Sequence, residues 1–241
     1  MSKYAYIDKS KKTTILAEKC TASDIHKTFY CPDPNCKSIV HLCAFNSNKV
    51  KPYFKGNNHT PDCSFYNNSQ PTDLNNYNTN DFSPDNLLLH LQKKTLKRLH
   101  STSKTSSSII SKKYIHSIKS LYYLSINYPI DYEINGFKIK ELICDSRTAF
   151  IYIKYISGIK LVKCKYYKYD TKSKNIYFKY FYSDNEYLTL KLSFINTTLY
   201  NEIQKKFYKF SGEILIFADW RTINKFVETQ ITSSKQITAA K

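Results

Sequence analysis

An α+β chain in two unequal parts is what this sequence predicts: a small zinc-stabilised β-rich N-terminal module, then a β-rich C-terminal domain. Three features carry that expectation. Four of the seven cysteines fall between Tyr30 and Cys63, at metal-ligand spacing with His59. An Asn-rich stretch from Asn67 to Asp81 then carries too little apolar surface to offset its ordering entropy. Beyond Pro129 apolar residues recur at every second position, the period of strands with one buried face.

The module spans residues 1–66. Segments 3–8 and 13–18 flank a polar turn, Asp8 to Lys12, and read as a hairpin; Ser38 to Phe45 reads as another strand. In Cys31-Pro32-Asp33-Pro34-Asn35-Cys36, Pro and Asn pre-set or tolerate turn dihedrals, so the loop can fold two thiolates onto one ion. His59-Thr60-Pro61-Asp62-Cys63 brings a second pair. A tetrahedral structural Zn2+ needs this donor set, and Cys31, Cys36, His59 and Cys63 are the expected ligands. Cys43 with His41 is a rival pair that could replace one of them. Cys20, Cys144 and Cys164 read as small apolar residues. So small a module has too little core to fold unaided, and zinc, contributing on the order of 10 kcal/mol in finger peptides, would supply the rest.

The order of these features carries a resemblance. A Tyr4-Ala5-Tyr6-Ile7-Asp8 strand, Phe29-Tyr30-Cys31-Pro32, Lys51-Pro52-Tyr53-Phe54-Lys55 and the closing His59 and Cys63 together resemble the zinc-binding N-terminal module of the competence-protein (CoiA-like) family. The likeness covers residues 1–66 only. Members of that family often continue into a restriction-type nuclease domain, which the resemblance makes an expectation to test on the rest of the chain.

Residues 67–85 are expected to be a linker. Ser83-Pro84-Asp85 supplies an N-cap, a Pro at the first helical position and an acid in the first turn, so a helix follows to about Leu99, with Leu88, Leu91, Thr95 and Leu99 as its apolar stripe. Segment 86–128 forms a basic helical region. It carries Lys93, Lys94, Lys97, Arg98, Lys112 and Lys113 and no acid that would give the mixed i,i+4 pairing of a solvated face, which favours a phosphate-facing surface.

Residues 129–221 form the β-rich domain. Strands are expected over 137–144, 150–156, 159–166, 176–182 and 188–194, with Asp170 to Asn175 as a hairpin turn. A helix with Leu199, Ile203, Phe207 and Phe210 on one face follows, then a buried strand over 213–217. That order fits an OB-like barrel or a sheet packed on one helix. Residues 222–241 read as a polar tail.

The formal net charge of +18 calls for a polyanionic partner, and nucleic acid, DNA or RNA, fits best. Tyr166, Tyr167, Tyr177 and Tyr180 lie among lysines, an interleaving that sets rings for base stacking beside cations for phosphates and favours single strands. A restriction-type site needs two carboxylates and a Lys around a metal. Its nearest match, Asp145 followed by Tyr152-Ile153-Lys154, has a Tyr where the second acid should stand, and Glu141, four residues before Asp145, could face the same side, so the weak candidates are Glu141, Asp145 and Lys154 and a non-catalytic protein is expected. A diverged metal-dependent nuclease and a zinc-based protein-interaction module are the alternatives. No apolar segment follows Met1 as in a signal peptide, and no run is long enough to cross a bilayer, so the expected location is cytoplasmic, with no membrane partner and with reduced thiols.

Overall fold

Two curled sheets, packed through a shared core, organise the chain in a computed structural model that describes residues 1–60, 63–65, 74, 77–93, 113–183, 185–224 and 226–240. The first sheet begins with the expected hairpin, β1 (Tyr4–Tyr6) on β2 (Thr14–Leu16). β3 (Phe29–Tyr30), β4 (Ile39–Cys43) and β5 (Tyr53–Lys55) extend it in the order β2-β1-β3-β4-β5. The sheet curls until Ser2, at the head of β1, exchanges two hydrogen bonds with Phe54 of β5 at 2.9 and 2.7 Å. Tyr4, Phe29 and Phe54 fill its interior.

Between the sheets lie β6 (Tyr77–Asn78), α1 (Pro84–Gln92), β7 (Lys113–Tyr114) and α2 (Ile118–Ser125). Ser83 caps α1 as its sequence predicts, accepting from the Asn86 amide at 3.1 Å. β6 and β7 pair in parallel, so segment 67–85 is not wholly a linker. Lys94, Lys97, Arg98 and Lys112 lie outside the described residues.

The expected strand over 137–144 is corrected to three short pieces: β9 (Phe137–Lys138), α3 (Ile139–Leu142) and β10 (Ile143–Cys144). β8 (Glu133–Ile134) precedes them and pairs with β9, and the run breaks at α3, where the Glu141 carboxylate accepts from the Lys138 amide at 3.2 Å. Asn135 and Gly136 both adopt positive φ, 50° and 82°, which makes the tight hairpin turn that Asn-Gly favours. The expected strand over 150–156 is also absent. Asp145 and Thr148 hold a run of turns in which the Thr148 and Ala149 carbonyls accept from the Ile151 and Tyr152 amides, leaving Tyr152 and Ile156 inward and Phe150, Ile151, Ile153 and Tyr155 exposed.

The second sheet closes on itself. β11 (Gly158–Asp170), β12 (Asn175–Phe181) and β13 (Tyr187–Phe194) form an antiparallel meander. α4 (Thr197–Phe207) crosses to β14 (Glu213–Ile223), and β15 (Phe226–Ile231) then pairs antiparallel with β14 and parallel with β13. β11 is long enough to serve twice: its first half pairs with β14 and its second half with β12, which completes a five-stranded ring. A meander of three, a helix, then two strands inserted to close the circle make an OB-like barrel.

The polar tail expected from 222 is therefore a correction as well. Val227, Thr229 and Ile231 alternate inward as the last strand of the ring, and β16 (Ile237–Ala239) bonds to β14. Ring closure buries these residues, whereas a short alternating stretch among polar neighbours carries little signal by itself.

The inner and outer faces of the ring have different partners. Val162, Cys164, Phe178, Leu190, Ile216 and Trp220 point inward, joined by Leu199, Ile203 and Phe207 of α4. On the outside, Leu161 of β11 and Leu215 and Phe217 of β14 join the core of the N-terminal module and α2. One half of the barrel exterior is thus covered, and among the described residues no such core covers the half formed by β12, β13 and β15.

Candidate metal centre and nucleic-acid interface

Cys31, Cys36, His59 and Cys63 converge, their ligand atoms all within 4.8 Å of one another. Cys31 Sγ lies 3.6 Å from Cys63 Sγ, and His59 Nδ1 lies 3.5 Å from Cys36 Sγ and 3.4 Å from Cys63 Sγ. A tetrahedral ion with sulfur at about 2.3 Å and nitrogen at about 2.1 Å would give edges of about 3.6 to 3.8 Å, close to these separations. The three thiols are buried. Burial and then Cys63 push Cys31 up, whereas hydrogen bonding from Cys31 draws Cys63 down against its burial. His41 and Cys43 are not in the cluster; His41 is exposed on β4, and the Cys43 thiol donates to the His41 carbonyl at 3.6 Å.

The knuckles are fixed by their own backbone. The Cys36 amide donates to the Asp33 carbonyl at 3.1 Å, and the Asp33 carboxylate accepts from Asn35 N at 3.1 Å and from Ser64 N at 3.0 Å. One buried acid therefore ties the first knuckle to the second. Lys11 Nζ donates to the carbonyls of Asp33, Pro34 and Cys36, satisfying acceptors the turn leaves open. The chain reaches the second knuckle through Gly56, where a Cβ would sit 2.6 Å from the Ile39 carbonyl oxygen.

Ser64 connects this centre to the barrel, accepting from Tyr122 Oη of α2 at 3.3 Å and from Lys163 Nζ of β11 at 3.2 Å. Lys163 is buried and ion-paired with Glu213 at 2.8 Å.

The three weak catalytic candidates are not assembled as a site. Asp145 is fully buried and engaged by Arg147, whose Nη2 donates to Oδ2 at 2.8 Å and whose backbone amide donates to Oδ1 at 2.9 Å. Burial alone would raise the Asp145 carboxyl, but the charge and hydrogen bonds of Arg147 outweigh it and hold the group below its ordinary value. Glu141 is exposed on α3, accepting from the Lys138 amide at 3.2 Å, and Lys154 is exposed in the turn-rich segment. Arg147, which no local sequence motif marks, is the residue that decides what Asp145 does.

The tyrosines divide. Tyr180 is only 1 % exposed and lies inside the ring, and Tyr166 packs edge-on against buried Phe178. The Tyr180 ring is closed to stacking, and the Tyr166 ring is half-buried. Tyr167, by contrast, is 43 % exposed, because the ladder between β11 and β12 skips it: Tyr166 faces Phe178 and Lys168 faces Tyr177. The bulge turns both Tyr167 and Lys168 outward.

On the open half of the barrel, Lys179 of β12 lies between two rings, its Nζ 4.2 Å from the centroid of Tyr167 and 4.0 Å from that of Tyr187. Lys168 Nζ sits 5.4 Å from both Tyr167 and Tyr177. Phe181 and Tyr187 approach at 5.6 Å, and Tyr177 and Phe226 at 6.3 Å. Lys179, Phe181, Tyr187 and Phe226 were not singled out from sequence, although each occupies the outward position of its strand's alternation. Lys93 is exposed at the end of α1, its carbonyl accepting from Lys235 Nζ at 3.3 Å, and Lys113 lies on β7.

Fold and donor set define a class: an N-terminal module with a cluster of three cysteines and one histidine able to hold a metal ion, joined through a common core to an OB-like barrel. Neither a known protein family nor a curated protein matches this chain in sequence. Among the described residues no helix is long and apolar enough to cross a membrane.

Proposed function

We propose that this protein binds single-stranded nucleic acid on the open half of its barrel and that its N-terminal cluster holds structural zinc. One observation carries the first reading: Lys179 held between the exposed rings of Tyr167 and Tyr187, with Lys168, Tyr177 and Phe226 beside it, on the strands an OB-type barrel leaves uncovered. Rings supply sequence-tolerant stacking and lysines meet phosphates, the combination by which such barrels hold single strands. The net charge of +18 and the acid-free basic run from Asn86 to Ile130 add long-range attraction.

Zinc is the metal this donor set favours. Three thiolates and an imidazole in a closed tetrahedral arrangement suit a borderline-soft ion with no redox chemistry, and leave no open position for catalysis. The thiols must be reduced to ligate, which fits a cytoplasmic setting. Titration of fluorescent oligothymidylate and oligouridylate against the full chain tests the function. Binding with a steep inverse salt dependence is expected, and no binding to either at low salt would reject the reading.

A further inference from the structure

Two adjoining clefts of about 600 and 690 Å³ run between the metal module and the barrel. They share Asn35, Ser146, Ala149 and Tyr182 on their walls, so they form one trough. The trough opens beside Phe181, whose ring lies 5.6 Å from Tyr187 on the barrel face. It is therefore continuous with the lysine and tyrosine surface described above.

Its charge is unbalanced. Two acids border it, and both are engaged: the Asp33 carboxylate holds two backbone amides, and Glu213 is paired with Lys163. Lys165 on the barrel side and Lys9 and Lys37 on the metal-module side are exposed. Lys165 stands opposite Lys179 across the β11–β12 ladder and opposite Glu213, itself paired with Lys163, across the β11–β14 ladder. Exposed or half-exposed rings, Phe150 at 66 % and Tyr30 and Tyr182 beside it, line the same trough.

We propose that this trough is the second half of the binding path: a single strand leaving the barrel face at Phe181 runs on between Lys165 and the metal knuckle, its phosphates meeting Lys165, Lys37 and Lys9. The inference rests on the single-strand reading and adds a role for the metal centre. Pro34 and Asn35, held between Cys31 and Cys36, line one wall, so the knuckle that would hold the ion also borders the path.

The test is length dependence. Affinity for oligothymidylate and oligouridylate from about 4 to 16 nucleotides is measured for the full-length wild type and for the Lys9→Gln/Lys37→Gln/Lys165→Gln variant, with melting temperature as a check on folding. The shortest strands, seated on the barrel face alone, should bind both proteins alike. Longer ones should gain affinity only with the wild type, and the variant's log-log salt slope on them should be lower by about 2, at about 0.7 per lost phosphate contact. Equal length dependence and equal slope in the two proteins would overturn the trough alone. Failure of the wild type to bind any length would reject the single-strand reading itself, and the trough with it.

Discussion

Arg147 donates through Nη1 to the hydroxyl of Tyr4 at 3.3 Å, across 143 residues of chain. The same nitrogen reaches the Ser125 carbonyl at 3.0 Å at the end of α2, while Nε and Nη2 hold Asp145. One buried guanidinium thus fastens the N-terminal sheet, the intervening helix and the turn that leads into the barrel.

Removing one partner of that pair should therefore be expensive. Asp145→Ala leaves an uncompensated buried cation and should cost about 3 to 5 kcal/mol of unfolding free energy, measured by urea denaturation. The pH dependence has a definite sign. The Asp145 carboxyl is held below its ordinary value, so its contribution is full above the unfolded pKa of about 3.9 and disappears as pH falls through the lower folded value. Arg147→Met should flatten that acid limb, and an acid limb as steep as the wild type's would show that the pair is not its source.

Metal content should be one ion per chain by elemental analysis, reduced to a small fraction in Cys31→Ser or Cys63→Ser. Cys43→Ser should retain it fully, because the Cys43 thiol lies outside the cluster. Loss of the ion from Cys43→Ser would revise the ligand set.

On the barrel face, Tyr167→Ala and Tyr187→Ala should each weaken oligonucleotide binding by about 1 to 3 kcal/mol, read by fluorescence anisotropy. Tyr180→Phe should leave affinity unchanged, since that ring is inside the core and its hydroxyl reaches the Asp145 carbonyl at 3.4 Å. A larger effect from Tyr180 than from Tyr167 would place the interface elsewhere.

Truncation after Thr222 should unfold the barrel rather than trim a tail. It removes β15, which bridges β13 and β14, and exposes the edges of both. Circular dichroism and a lost cooperative melt would register this; a truncated chain that melts like the full one would show that the ring closes without it.

The convergence of Cys31, Cys36, His59 and Cys63 was legible in the sequence because metal-ligand spacing is a local signal: each pair sits on one short turn. The hairpin around Asp8, the Ser83 cap and the strands from Ile159 to Phe194 were legible for a similar reason, each set by neighbouring residues. What only the tertiary structure decided is how faces are assigned. Alternation along β12 separates Tyr177 from Tyr180 in parity, but only closure of the ring makes one parity inside and the other outside. The bulge at Tyr167 appears only against the register of β12, and Arg147 finds Tyr4 only once the two sheets pack. These relations depend on residues distant in the chain, and no local pattern encodes a pairing whose partner lies elsewhere.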